Sequence, residues 1–79
     1  MITIKPVRAL RDLELTDHSG TTFQLAEGRN YELHMADAHL HSDPERFYPC
    51  EIHALGSADI IGIIDQREAG TLIADGCLI

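Results

Sequence analysis

Basic side chains are scarce in this sequence. Six Lys and Arg stand against thirteen Asp and Glu, a formal charge of −7 with neutral His and a pI near 4.9. A surface of that sign repels phosphate backbones and anionic lipid, so direct nucleic-acid binding and attachment to an acidic membrane are disfavoured. The deficit is uneven. Residues 1–33 carry four basic and five acidic side chains, whereas residues 34–79 carry only Arg46 and Arg67 against eight carboxylates. This second half can attract a basic protein surface, or it can simply keep the chain in solution. Protonating all five histidines would take the formal charge from −7 to −2, so association driven by charge weakens in mild acid.

Cysteine is equally sparse. Cys50 and Cys77 lie too far apart for a redox Cys-x-x-Cys pair or a local zinc knuckle, and a disulfide between them is allowed but not implied. No apolar run approaches the ~18 residues that span a bilayer. No basic segment leads into an apolar signal core. Cys77 stands third from the end, so the four-residue prenylation box fails. The expectation is a cytosolic protein with no membrane partner. Gly56, Gly62, Gly70 and Gly76 match no Walker or dinucleotide pattern, which leaves no phosphate cradle. Ser19, Ser42 and Ser57 sit in turn-like contexts without a Gly-x-Ser-x-Gly elbow. Cys50 precedes His53 by three residues, which puts the two on opposite faces of a strand, and both cysteines read as small packing residues. No acid, base and nucleophile share a spacing that strand geometry would unite, so the expectation is a protein that is not an enzyme.

Length sets a further bound. A chain of 79 residues forms one small domain, 1–79, too short for a barrel enzyme, a dinucleotide-binding fold or a kinase. It buries only about 60% of the surface its unfolded form exposes, and area-minus-entropy bookkeeping at this size comes out near zero. A homo-oligomer is therefore expected. Hydrophobic residues at 44% and charged residues at 24% describe a globular chain, not a disordered one.

What the sequence does have is alternation of period two, the mark of half-buried strands. Ile2 and Ile4 alternate with Thr3 and Lys5, and Pro6 marks an edge or a strand end. Leu13 and Leu15 alternate with Asp12 and Glu14, Asp17–Gly20 turns, and Thr21–Leu25 returns with Phe23 and Leu25 on one face. Glu27-Gly28 turns again, and Tyr31, Leu33 and Met35 alternate with Glu32 and His34. Ser42-Asp43-Pro44-Glu45 carries helix-start chemistry, enough for a single helical turn near 43–47 before Pro49. Cys50, Ile52 and Ala54 alternate with Glu51 and His53. Four isoleucines between Asp59 and Asp65 surround Gly62, which marks a bulge or a close backbone approach. Gln66–Gly70 reads as a loop, and Thr71–Ala74 with Cys77–Ile79 as a terminal hairpin turned at Asp75-Gly76. The expected fold is mainly β: a small antiparallel SH3-like barrel, or a rolled meander, of about six short strands. At most one short helical turn accompanies them.

Chemistry concentrates in Asp37-Ala38-His39-Leu40-His41-Ser42-Asp43. Asp37, His39, His41 and Asp43 occupy every second position and share one face of an extended segment. Two neutral imidazoles with a carboxylate suit zinc, nickel or copper, so these four residues are the sequence candidates for a Zn or Ni site. His34 precedes them, and Glu51 and His53 share a face of a later strand and could complete the set. The plainer reading is a solvated polar loop with no cofactor. Asp37 to His41 also resembles the first-strand metal motif of amidohydrolases, in which two histidines help hold a catalytic metal. That likeness covers five residues, and the remaining ligands of that family come from barrel strands for which this chain has no room.

Phe23 and Tyr31 fall on core-facing positions, but Phe47 and Tyr48 lie in an irregular stretch and read as partner anchors or as a plug folded onto the sheet. The favoured function is a non-enzymatic protein-binding module. Asp37, Asp43, Glu45, Glu51, Asp59 and Asp65, with Phe47 and Tyr48, would face a basic protein surface or ribonucleoprotein complex where phosphates normally bind. In size and charge the chain is similar to phage-encoded inhibitors of defence complexes, such as anti-CRISPR proteins, which occlude basic nucleic-acid grooves. A His/Asp metal-binding protein and a small structural subunit of an assembly are the alternatives.

Overall fold

The computed structural model describes residues 1–36 and 42–79. Among the described residues six strands precede one helix: β1 (Ile2–Arg8), β2 (Leu13–Thr16), β3 (Thr22–Leu25), β4 (Asn30–Ala36), β5 (Pro49–Ala54), β6 (Ile60–Asp65) and α1 (Gln66–Ala74). All pairings are antiparallel, in a four-stranded sheet of order β1-β4-β5-β6 and a hairpin of β2 with β3. The mainly β fold expected from the alternation is the fold observed. No helix among the described residues is long and apolar enough to cross a membrane.

Register decides which residues meet inside. Val7 pairs with Tyr31, Leu33 with Ile52, and Cys50 with Ile64, so these side chains share one face of the sheet and are buried. Leu15 and Leu25 from the hairpin, Ala69 from α1, and Ala9 and Leu78 close over that face. The inward side of β1 is therefore the side of Val7. Ile2 and Ile4 lie on the opposite side, 67% and 54% exposed, because a period of two allows only one parity to face the core. Pro6 sits within β1, the outermost strand in the sheet order, where a missing N–H is tolerated.

The C-terminal region departs from expectation. Gln66–Ala74 is a helix and not a loop followed by a hairpin arm. Asp65 accepts the Arg67 N–H and caps it, and Glu68 lies in the first turn where the helix dipole favours a negative charge. Ala69, Leu72 and Ile73 fall at helical spacing and pack on the core. Asp75-Gly76, which suits a hairpin turn, instead ends the helix. The Gly76 N–H donates to Ile73 O at 3.1 Å and the Cys77 N–H to Leu72 O at 2.9 Å, with Gly76 at φ 76°. Both structures need a residue of positive φ, and the apolar face of the preceding turns decides between them. The expected helical turn near 43–47 is a single hydrogen-bonded turn, closed by Arg46 N–H on Asp43 O at 3.2 Å.

Gly62 shows why an isoleucine-rich strand carries a glycine. The pairing shifts so that Ile52 faces Gly62 while His53 faces Ile60, a bulge that skips Ile61. At the bulge the Phe23 ring lies over the backbone, and a Cβ on Gly62 would stand within 2.6 Å of its Cδ1 and Cζ. Gly62→Ala is expected to lower stability by about 1–3 kcal/mol through overpacking. In a Phe23→Ala background the same change should cost less than about 1 kcal/mol. Urea unfolding of the four proteins in this cycle checks both values.

Candidate functional site

Two triplets of the same form meet on the outer face of the sheet: Glu32-Leu33-His34 in β4 and Glu51-Ile52-His53 in β5. Leu33 and Ile52 point into the core, so the polar residue on either side of each points outward. Register sets Glu32 opposite His53 and His34 opposite Glu51. The result is a checkerboard of two imidazoles and two carboxylates. The His34 and His53 rings stack with centroids 3.9 Å apart and planes 22° apart. His34 Nε2 lies 3.3 Å from Glu32 Oε1, and His53 Nε2 lies 3.1 Å from Glu51 Oε1. One donor atom each from His34, Glu51 and His53 falls within 4.8 Å of the others.

His53 is the fixed member, only 4% exposed although it faces outward. Gly56, at φ 77°, turns the chain after β5 and brings the Ser57 carbonyl 3.1 Å from His53 Nδ1. That carbonyl can only accept, so Nδ1 carries the hydrogen in this contact. Glu51 is the wet member, its side chain 42% exposed.

The sequence candidates distribute differently. Asp37, His39 and His41 lie outside the described residues. Asp43 stands at the exposed turn, where its Oδ1 accepts the Glu45 N–H at 2.9 Å. Glu45 is exposed on the same turn, and Phe47 is 41% exposed with its ring 5.4 Å from that of His18. Asp59 is exposed just before β6. Tyr48 is no surface anchor. It is buried, its hydroxyl accepts the Asp43 N–H at 2.9 Å, and Arg46 and Arg67 lie over its ring at 5.4 Å each. Asp65 is likewise committed to the fold. It accepts from the backbone N–H of Arg67 and of Tyr48 and from the Arg67 guanidinium, with Nε to Oδ1 at 2.9 Å.

No local signal in the sequence marks Gln66. Buried at the start of α1, its side-chain amide donates to Ala36 O at 2.9 Å and Pro49 O at 3.0 Å. It thereby clamps the end of β4 to the start of β5. The His/Glu checkerboard does leave a signal, the twice-repeated Glu-aliphatic-His triplet on strands that pair. A cleft of about 1060 Å³ lies elsewhere, between the hairpin and the sheet, and includes Glu14, Tyr31 and Ile61 in its lining. Comparison with protein-family models, curated proteins and solved structures gives no match.

Hydrogen bonding and burial move several groups from their ordinary values. Bonds from the Ser19 and Ile63 backbone N–H groups, helped by the Ser19 hydroxyl, lower Asp17 to about 2. The Arg67 guanidinium, with backbone N–H groups of Arg67 and Tyr48, holds Asp65 well below the usual carboxylate range, and the same pairing raises Arg67. Burial, aided by the neighbouring Glu51 charge, pushes the Cys50 thiol up to about 12. Cys50 is thus a packing residue without thiolate character at neutral pH.

Asp17 and Asp65 bind protons more weakly folded than unfolded, so their stabilisation is complete above about pH 5 and is lost as pH falls toward about 2. Asp17→Asn and Asp65→Asn should each lower stability at neutral pH and flatten the acid limb of a stability–pH curve. An unchanged acid limb in both variants would show that neither bond matters to the folded state. Cys50 should resist a thiol-specific alkylating reagent in the native protein and react only at the rate at which the sheet opens, read by mass spectrometry with time.

Proposed function

We propose that this protein is a non-enzymatic protein-binding module that docks an acidic, aromatic turn on a basic surface of its partner. The observation that carries the reading is the way the 43–47 turn is held. Asp43 N–H bonds to the buried Tyr48 hydroxyl, and Tyr48 N–H bonds to Asp65. Arg67 reaches across to donate to Pro44 O at 3.0 Å and Arg46 O at 2.6 Å. Asp43, Glu45 and Phe47 are left exposed on a backbone that is already ordered. A recognition loop fixed before binding loses little conformational freedom on contact, and an exposed aromatic ring beside carboxylates suits a cationic surface.

The charge supports the finer reading. Eight carboxylates among residues 34–79 face only two arginines, and Arg67 is already paired with Asp65. Such a surface mimics the charge of a phosphate backbone. An inhibitor of this kind would occlude the nucleic-acid groove of a cytosolic ribonucleoprotein complex, as the phage-encoded inhibitors do. The reading holds for a monomer or a homo-oligomer alike.

The test is capture from an extract of the source cell on immobilised wild-type chain and on Asp43→Lys/Glu45→Lys and Phe47→Ala variants. The reading expects a basic partner that added nucleic acid displaces. Charge reversal should slow its association about tenfold or more at low salt. Phe47→Ala should cost about 2 kcal/mol of affinity if the ring is a central anchor. Association kinetics at low salt that are the same for all three proteins would refute the turn as the binding element.

A further inference from the structure

We infer that His34, Glu51 and His53 form a binding site for one divalent transition ion of the zinc or nickel class. The hydrogen bonding of His53 contains a mismatch. Both of its ring nitrogens face acceptors, Nδ1 toward Ser57 O and Nε2 toward Glu51 Oε1, each at 3.1 Å. A neutral imidazole carries one N–H. The backbone carbonyl cannot supply a hydrogen, so the N–H belongs to Nδ1, and the Nε2 lone pair then faces a carboxylate. That contact needs a cation. Two ligand atoms bound at ~2.0–2.1 Å to one ion stand about 2.8–3.4 Å apart in octahedral or tetrahedral geometry, a range that includes the observed contact.

Three further features suit a metal rather than a lone proton. The anchor of Nδ1–H on a backbone carbonyl is the outer-shell bond that orients metal-ligating histidines and leaves Nε2 as the donor. Glu32 stands to His34 as the Ser57 carbonyl stands to His53, 3.3 Å from one ring nitrogen, so each imidazole has an outer partner. The donor set, two imidazoles and one carboxylate, matches borderline divalent ions and leaves at least one coordination position for solvent. Glu51, the exposed member, supplies the side from which an ion enters.

The ring stack adds a condition. Two rings 3.9 Å apart and 22° from parallel cannot both direct an in-plane lone pair at one ion. His53 is packed and tied to Ser57, whereas His34 is only half-buried, so His34 is the residue that turns out of the stack when the ion binds. This site is separate from the 43–47 turn, and its ligands are not the histidines that the sequence spacing favours.

The experiment titrates Zn2+ into the chelator-treated full chain by calorimetry, with histidine ring resonances followed by NMR. One ion per chain is expected, with the His34 ring moving most. Affinity should fall more than tenfold in His34→Ala and in Glu51→Gln, both placed where solvent reaches and the fold should survive, and it should persist in His39→Ala/His41→Ala. His53→Ala should abolish binding if it folds, but the other two variants decide the question whether or not it does. An absence of saturable Zn2+ binding would overturn the inference. Binding lost only in the His39/His41 variant would overturn it as well.

Discussion

The Asp65 carboxylate is the point on which the second half of the fold depends. It ends β6, caps α1, accepts the Tyr48 N–H and pairs with Arg67. A single exposed ion pair contributes little to stability, because solvent screens it and two side chains must be immobilised. Here each partner has other bonds to make. The carboxylate meets helix N–H groups whose dipole favours negative charge, and the guanidinium directs its remaining donors to two backbone carbonyls of the 43–47 turn. Gln66 follows at once and fastens the Ala36 and Pro49 carbonyls. Three consecutive residues therefore connect the sheet, the helix and the chain that joins β4 to β5.

The outer face of the sheet follows a different logic. A small domain has too little helix to cover both sides of a four-stranded sheet, and α1 packs with the hairpin on the core side. The other side carries its polar residues on the two middle strands, between Ile2 and Ile4 on β1 and Ile63 on β6, and strand pairing sets them in alternating registers. Like charges directly opposite would repel, so carboxylate facing imidazole is the arrangement that the backbone spacing favours. His53 alone is deeply covered, because the turn at Gly56-Ser57 folds back over it. The two candidate surfaces thus have separate origins: one is a turn fastened from beneath, the other a sheet face left uncovered.

Strands are legible in the sequence wherever apolar residues alternate with polar ones, and the glycine in the isoleucine run is legible as a close approach. Helix α1 is not. Gly70 weakens its propensity and Asp75-Gly76 imitates a hairpin turn, while the cap at Asp65 gains its meaning only from Arg67 and Tyr48 folded around it. The parity of β1 is hidden for a related reason. Two isoleucines near the start outweigh one valine on hydrophobicity, yet the register with Tyr31 and Leu33 decides which parity turns inward. For the candidate site, local spacing points to Asp37, His39, His41 and Asp43. The His34, Glu51 and His53 cluster shows in the sequence only as a repeated Glu-aliphatic-His triplet, and it is the pairing of β4 with β5 that brings its members together. Of the two readings that the sequence allows for Phe47 and Tyr48, the folded-back plug describes Tyr48, whose hydroxyl serves the Asp43 N–H, whereas Phe47 stays exposed.

One latch ties the two ends of the described chain. Arg8 and Ile79 exchange both backbone hydrogen bonds, at 2.9 and 3.0 Å, and Ala9 bridges Leu78 beside them. Leu78 is among the most buried side chains, so the core is not complete until this contact forms. Closing so long a loop costs entropy before any packing rewards it, which places folding on the order of milliseconds to seconds and not microseconds. The N-terminal strands alone therefore cannot complete this core. Until residues 77–79 dock, the core lacks Leu78 and Arg8 lacks the two hydrogen bonds it exchanges with Ile79.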